Sequence, residues 1–179
     1  SYSDVPDAGL AFSIVTEGDD NTARKALEEL GKLAWEVRAL GIPKEHDLDT
    51  VIVDFVPGKK GPLLLVEPAD NIGGGGPGDC TDVMRALIRH DVNGAGVVIT
   101  DAAAVAALQS LPIGQRMTLD IGGKGSRLDP GPVRLEVELI SRSDGDFELE
   151  DLQSQIVVLG RIIHMGPTAV VRHRGLTIL

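Results

Sequence analysis

Apolar and polar residues follow two different periods along this chain. In roughly the first two-thirds, short apolar runs alternate with stretches in which apolar residues recur every three or four positions, as on one face of a helix. The apolar runs are residues 10–16, 63–67 and 95–100, and the helix-like stretches are residues 23–37, 81–90 and 102–108. Alternation of strand and helix is typical of a sheet with mostly parallel strands and right-handed crossovers.

Residues 48–56 fit two patterns. Their β-branched content favours a strand, whereas Leu48, Ile52 and Phe55 also fall on one face of a helix. The sequence leaves this segment open between helix and strand.

From Met117 onward the strand pattern dominates. Val133, Leu135, Val137 and Leu139 alternate with charged residues, which predicts a half-exposed antiparallel strand. The strand-like segments of this part are residues 117–121, 133–140, 156–164, 168–172 and 176–179. We therefore predict an α/β fold with two parts: a mostly parallel sheet with flanking helices in residues 1–115, followed by a β-rich antiparallel subdomain in residues 116–179.

Composition narrows the range of partners and compartments. With 17 basic and 27 acidic residues the net charge is −10, and only 3% of the residues are aromatic. Nucleic acids and anionic membranes reward clustered Lys and Arg, so we expect neither as a partner. No apolar run approaches the roughly 20 residues that span a bilayer. The single cysteine, Cys80, has no internal disulfide partner, so a cytoplasmic location is expected.

A glycine-rich loop is the most informative segment. Residues 70–81 (DNIGGGGPGDCT) lie between an apolar run and a helix-like stretch, at the edge of the predicted sheet where ligands bind in open α/β folds. Its glycines allow positive φ and close approach of another group. A dinucleotide site matches Gly73-x-Gly75-x-x-Gly78, but Asp70 and Asp79 would repel a pyrophosphate.

Other interpretations of the loop remain. A Walker loop is excluded because Asp79-Cys80 replaces the required Lys-Ser/Thr. The loop either presents Asp70 and Asn71 to a reaction centre or forms a purely structural turn. Cys80 lies near a helix start, which can lower a thiol pKa, although a small buried residue is the simpler interpretation.

The loop also carries a family resemblance. The run DNIGGGGPGD, residues 70–79, resembles the Asp-Asn-x-Gly-Gly-Gly-x-x-Gly-Asp signature of the microcystinase C (MlrC) family. Weaker matches are the segment YSDVPDAG near the start, ITDAA at 99–103 and IGGK at 121–124.

The resemblance implies a zinc-dependent hydrolase or peptidase whose zinc ligands lie in a preceding N-terminal domain. The four histidines of this chain show no H-x-H, D-x-H or H-E-x-x-H spacing. The chain also ends within the apolar run LTIL. We therefore expect a fragment without a metal centre of its own and inactive alone. Its expected partners are the N-terminal metal-binding domain of the same polypeptide and a peptide or other small amide substrate.

The resemblance also implies site residues. Asp70 and Asn71 would be catalytic, the first accepting a proton or holding a metal-bound water and the second donating to a carbonyl or oxyanion. The glycines would supply close approach and backbone N–H groups. The expected substrate-binding residues are Gly74, Gly75, Gly76, Gly78, Asp79, Thr81, Asp101 and Lys124.

Simpler roles remain open for some of these residues. Asp79 and Asp101 suit helix caps, and Lys124 suits a solvated turn. The alternative function is a non-catalytic small-ligand-binding module or a structural interdomain module built on the loop.

Overall fold

The computed structural model describes residues 9–42, 44–55, 57–58, 60–153, 157–158 and 160–179. The chain divides into two compact units, one extending to Asp47 and the other from Leu48 to Leu179. The second unit contains all the strands of the described residues and the glycine loop.

The first unit is built on helix α1, Asp20–Val37, followed by a 3-10 turn, Arg38–Gly41. The N-cap of α1 is Asp19, whose carboxylate accepts the Asn21 N–H at 2.9 Å. The helix itself is confirmed. The strand predicted at 10–16 is wrong: among the described residues no strand pairs with this segment, and its side chains are exposed.

The second unit holds a five-stranded sheet and a separate hairpin. The sheet order is β1-β7-β6-β3-β2, and the hairpin pairs β4 with β5. The strands are β1 (Ala95–Val97), β2 (Arg116–Ile121), β3 (Val133–Ser143), β4 (Asp146–Glu148), β5 (Ile162–His164), β6 (Thr168–His173) and β7 (Leu176–Ile178).

Parallel pairing in the sheet is confined to β1 and β7 among the described strands, and the other pairs are antiparallel. The α/β class and the antiparallel second part are confirmed, with a sheet that is mixed. The run at 63–67 forms no strand, and Leu64 and Val66 are exposed. Of the strand predicted at 156–164, only β5 forms; residues 156 and 159 lie outside the described ones.

Three helices accompany the sheet. Residues 48–55 are helical, with α2 (Leu48–Thr50) continuing into a π-helical turn (Val51–Phe55), so the helical alternative is correct. Helix α3 (Asp82–Arg89) and helix α4 (Ala102–Leu108) form where their periodicity predicted them.

The core lies between α3, α4 and one face of the sheet. On β3 the side chains of Leu135, Val137 and Leu139 are buried, whereas Arg134 and Glu136 point to solvent. Met84 of α3 is fully buried against them in one apolar cluster. This alternation is the half-exposed strand that the sequence predicted.

The proposed division between residues 115 and 116 stays a prediction, and β1 and β7 pair across it. No helix in the part of the chain that the structure describes is long and apolar enough to cross a membrane.

The buried face of β3 gives a direct test of the fold. Leu139 is 0% exposed and Leu128 is 90% exposed. We expect Leu139→Ala to lower the free energy of unfolding by about 2–5 kcal/mol, because it leaves a cavity. Leu128→Ala should change it by less than about 0.5 kcal/mol. Urea unfolding followed by circular dichroism measures both, and equal effects would contradict the assigned core.

Candidate functional site

Three segments that are distant in sequence meet beside the carboxyl end of β1. They are the glycine loop (residues 70–81), the segment Thr100–Asp101 just before α4 and the turn at residues 121–125. The Thr100 N–H donates to the Gly78 carbonyl at 2.7 Å, and the Gly123 N–H donates to the Asp79 carbonyl at 2.7 Å. The segments that carry the family resemblance within this unit therefore form one site.

Asp70 closes the glycine loop on itself. Its Oδ1 accepts the Gly78 N–H at 2.9 Å, and its Oδ2 accepts the Cys80 N–H at 2.7 Å. Hydrogen bonds to an ionised carboxylate are about twice as strong as neutral ones. Asp70 thus fixes the far end of the loop.

Asn71 starts a short 3-10 turn, Ile72–Gly74, and is exposed. Its Oδ1 accepts the Gly73 N–H at 2.9 Å, and its carbonyl accepts the N–H groups of Gly74 and Gly76. Its Nδ2 has no hydrogen-bond partner among the described residues. The exposed amide of Asn71 therefore keeps two N–H donors that no described residue uses.

The backbone N–H groups of the loop's glycines are already engaged. Gly74, Gly75 and Gly76 donate to carbonyls of the 3-10 turn, Gly78 donates to Asp70, and Pro77 has no N–H. A phosphate cradle needs several such groups free and convergent. The dinucleotide interpretation therefore loses its physical basis, and these glycines have no free N–H to offer a substrate in this structure.

The glycines instead serve close packing. Gly78 has φ +74°, and a Cβ there would lie 2.6 Å from Ile72 Cγ2 and 2.7 Å from Thr100 Oγ1. At Gly76 a Cβ would lie 2.7 Å from Asp70 Oδ1. Because Gly76 and Gly78 carry no side chain, the Asp70 carboxylate can lie against the backbone at Gly76 and Thr100 can lie against the backbone at Gly78.

Asp79 does not cap α3, which corrects the expectation from sequence. The side chain is buried, and its Oδ2 accepts the N–H groups of Lys124 and Gly125, each at 2.6 Å. Its Oδ1 is buried without a partner among the described residues. The carboxylate therefore ties the loop to the 121–125 turn.

Asp101 does cap α4, as expected, and has a second role. Its Oδ1 accepts the Ala104 N–H at 3.0 Å, while its Oδ2 accepts the Gly122 N–H at 2.9 Å and the Lys124 ammonium at 2.5 Å. Burial acts to raise the pKa of Asp101, but these three donors together outweigh it, so its pKa is lowered.

Lys124 is exposed, as expected for a turn residue, but its ammonium is held by two acceptors. Besides Asp101, its Nζ donates to the Asp120 carbonyl at 2.7 Å. Lys124 is the counter-ion of the largely buried Asp101 carboxylate. The turn is therefore held by its backbone N–H groups and also by the Lys124 side chain.

Sequence reasoning missed Asp129 and Arg85. The hydroxyl of Thr81, a fully buried residue, donates to Asp129, and its backbone N–H donates to Asp129 Oδ2 at 2.7 Å. Arg85 Nε donates to Thr81 Oγ1 at 2.9 Å. Asp129-Pro130-Gly131 resembles an ordinary turn in sequence, and a contact across 48 positions leaves no local signal.

The Cys80 thiol is not activated by its position before α3. Burial raises its pKa, and the negative charges of Asp82, Asp129 and Glu67 add to this effect. The expectation that the helix start lowers the thiol pKa is therefore wrong for Cys80.

No group of three or more His, Cys, Asp or Glu side chains in the described ranges could hold a metal ion. Three histidines make other contacts: His90 bonds Asp49, His164 bonds Asp146, and His173 bonds the Glu136 carbonyl. The described residues therefore do not fit a zinc centre.

Comparison with known proteins assigns the family. A family model described as the MlrC C-terminus matches residues 65–179, more than half of the chain. This chain belongs to the MlrC family. The resemblance inferred from the glycine loop is confirmed.

Among solved structures, the chain is similar to "Putative metallopeptidase" from Mesorhizobium sp. BNC1, with a TM-score of 0.71 and 19% sequence identity. The match covers 86% of this MlrC chain and 30% of that protein. At this identity the likeness shows a shared fold. A search of the curated proteins gives no match.

Matched glycine substitutions test the close packing of the MlrC loop. Gly78 and Gly94 have nearly equal φ angles of +74° and +75°, but a Cβ meets nothing within 4 Å at Gly94. Both alanine variants carry the cost of a left-handed residue, about 1–2 kcal/mol. We expect Gly78→Ala to lose about 1–3 kcal/mol more through overpacking. Urea unfolding measures the difference, and equal losses would contradict the packing described.

The lowered pKa of Asp101 predicts an acid dependence of stability. A carboxylate with a lowered pKa in the folded state stabilises fully above its unfolded pKa of about 3.9. That contribution is lost as the pH falls below this value through the folded pKa. We expect Asp101→Asn to be less stable than wild type at pH 7, with the difference shrinking towards pH 2. Unfolding midpoints across this range measure it; a constant difference would contradict the assignment.

Proposed function

We propose that this chain is the C-terminal, substrate-side region of an MlrC-type zinc-dependent hydrolase that cleaves peptides or similar amides. On this proposal the zinc ligands belong to an N-terminal domain of the same polypeptide, and the chain is inactive without that domain. The proposed location of the protein is the cytoplasm. The family membership and the shared fold with a named metallopeptidase support the hydrolase class. The chain covers 30% of that protein, which leaves room for a separate metal domain there.

The observation that carries the proposal is the exposed amide of Asn71. It stands at the start of the loop with its oxygen held by the Gly73 N–H and with its two N–H donors unpartnered among the described residues. A fixed donor of this kind can stabilise the oxyanion that develops when an amide carbonyl is attacked. We assign this stabilisation of the oxyanion to the Asn71 amide.

Asp70 acts differently on this proposal. Each of its oxygens already accepts one backbone N–H, at 2.9 and 2.7 Å. Two roles are possible for Asp70: it could position Asn71, or it could accept a proton. The geometry favours the positioning role.

The remaining residues expected to bind substrate would shape the loop in the same indirect way. Asp79, Thr81, Asp101 and Lys124 all bond to protein groups. Gly74, Gly75, Gly76 and Gly78 direct their N–H groups into the loop.

One observation favours the alternative of a structural interdomain module. The loop satisfies the N–H groups of its own glycines, as a packing element would, and these glycines offer no convergent set of donors for a small anion. On this alternative, Asn71 bonds to the neighbouring domain and substrate never reaches it.

Asn71→Asp separates the two functions. The aspartate keeps the oxygen that accepts the Gly73 N–H and loses both N–H donors. In the zinc-loaded polypeptide that carries both domains, we expect kcat/KM on short linear peptides to fall about 10²- to 10³-fold, with zinc content unchanged. The isolated chain should bind no stoichiometric zinc and hydrolyse none of these peptides.

Asn93→Asp is the control for the same change of charge on another exposed turn; the Asn93 Nδ2 donates to the Asp91 carbonyl, so this variant gives up one bond of its own turn. It should leave kcat/KM unchanged. Unaltered turnover in Asn71→Asp, with weakened binding between separately produced domains, would favour the interdomain module. A two-domain polypeptide without zinc-dependent hydrolysis would refute the enzyme proposal.

A further inference from the structure

The structure assigns a positioning role to Asp129, a carboxylate outside the glycine loop that sets where the loop ends and where α3 begins. The inference deepens the proposed function and relies on it only for the importance of the loop's shape. Asp129 has no hydrogen bond to Asn71 in this structure. It would therefore act on substrate indirectly, by way of the loop that carries Asn71.

Three donors converge on the Asp129 carboxylate. Oδ2 accepts the Thr81 N–H at 2.7 Å, and Oδ1 accepts the Thr81 hydroxyl at 2.9 Å and the Gly131 N–H at 2.7 Å. Burial acts to raise the pKa of Asp129, and these donors outweigh it, so its pKa is lowered and the group is ionised at neutral pH.

Asp129 holds the N-cap residue of α3. Thr81 is that residue, yet its own side chain bonds no N–H of the helix. Its hydroxyl donates to Asp129, and its oxygen accepts from Arg85 at the same time. A carboxylate 48 positions away thus fixes the residue before the helix, and its negative charge is favourable beside a helix start.

A short series of contacts connects this cap to Asn71. Asp129 holds Thr81, and the N–H of the preceding residue, Cys80, donates to Asp70 Oδ2 at 2.7 Å. Asp70 in turn holds Gly78 and directly precedes Asn71. Loosening Asp129 should therefore loosen the Asp70 contacts, not only the helix.

The charge of Asp129 also helps to keep Cys80 in its thiol form. Burial raises the pKa of the Cys80 thiol, and the negative charges of Asp82, Asp129 and Glu67 add to this effect. The helix start would otherwise favour the thiolate. Cys80 is the one cysteine of the chain, so its reaction rate reports this charge without interference.

Asp129→Asn in the full chain tests the inference with two readouts. We expect amide hydrogen exchange at Gly78 and Cys80 to speed up about tenfold or more, since the loss reaches the Asp70 contacts. We also expect the pH profile of Cys80 reaction with 5,5′-dithiobis(2-nitrobenzoate) to shift to lower pH. Asp120→Asn, which removes an exposed partner of Arg134, should change neither readout.

A merely structural cap would give another result. If Asp129→Asn speeds exchange at Thr81 and along α3 but leaves Gly78 and the Cys80 profile unchanged, the positioning role is refuted. If this variant does not fold, Thr81→Val decides, because it removes the hydroxyl contact and keeps the carboxylate. It should speed Gly78 exchange to a smaller extent, and an unchanged Gly78 amide would overturn the inference. Neither readout needs zinc or substrate, so both stand apart from the test of function.

Discussion

Aspartate carboxylates that accept backbone N–H groups hold this site together. Asp70, Asp79, Asp101 and Asp129 each receive at least two such bonds, and each bridges positions that are separate in the chain. An irregular loop has no strand or helix ladder to satisfy its N–H groups, and buried unpaired donors are costly. The carboxylates provide the acceptors, and the glycines allow the backbone to come within reach of them.

This arrangement explains how an acidic cluster can exist at the centre of a stable unit. Eight backbone donors surround the four carboxylates, and Lys124 supplies a full counter-charge at Asp101. The lowered pKa values of Asp101 and Asp129 follow from these contacts, which more than offset burial. Asp79 is the exception in part, since its Oδ1 remains unpartnered within the described residues. The loop is thus rigid at its base, and the exposed Asn71 amide is its open group.

The sequence predicted what depends on local pattern. Helices α1, α3 and α4 have strong periodicity, and the alternation in 133–139 depends only on one buried face. The strand-like runs at 10–16 and 63–67 show the limit of this reasoning, because a strand requires a neighbour that the run itself cannot specify. For the site, the motif located the glycine loop but assigned Asp79 to a helix cap. Its real acceptor role, and the roles of Asp129 and Arg85, depend on contacts across about 45 positions that no local pattern encodes.

The exchange rates of the Lys124 and Gly125 amides in the native chain test this account most directly. Both residues lie on an exposed turn, and the hydrogen bonds of their N–H groups are to Asp79 alone among the described residues. We expect exchange at least about 100-fold slower than in an unstructured peptide, which solvent-exposed turn amides do not otherwise show. Exchange at the unstructured rate, with β3 still protected, would contradict the claim that buried carboxylates fix the site.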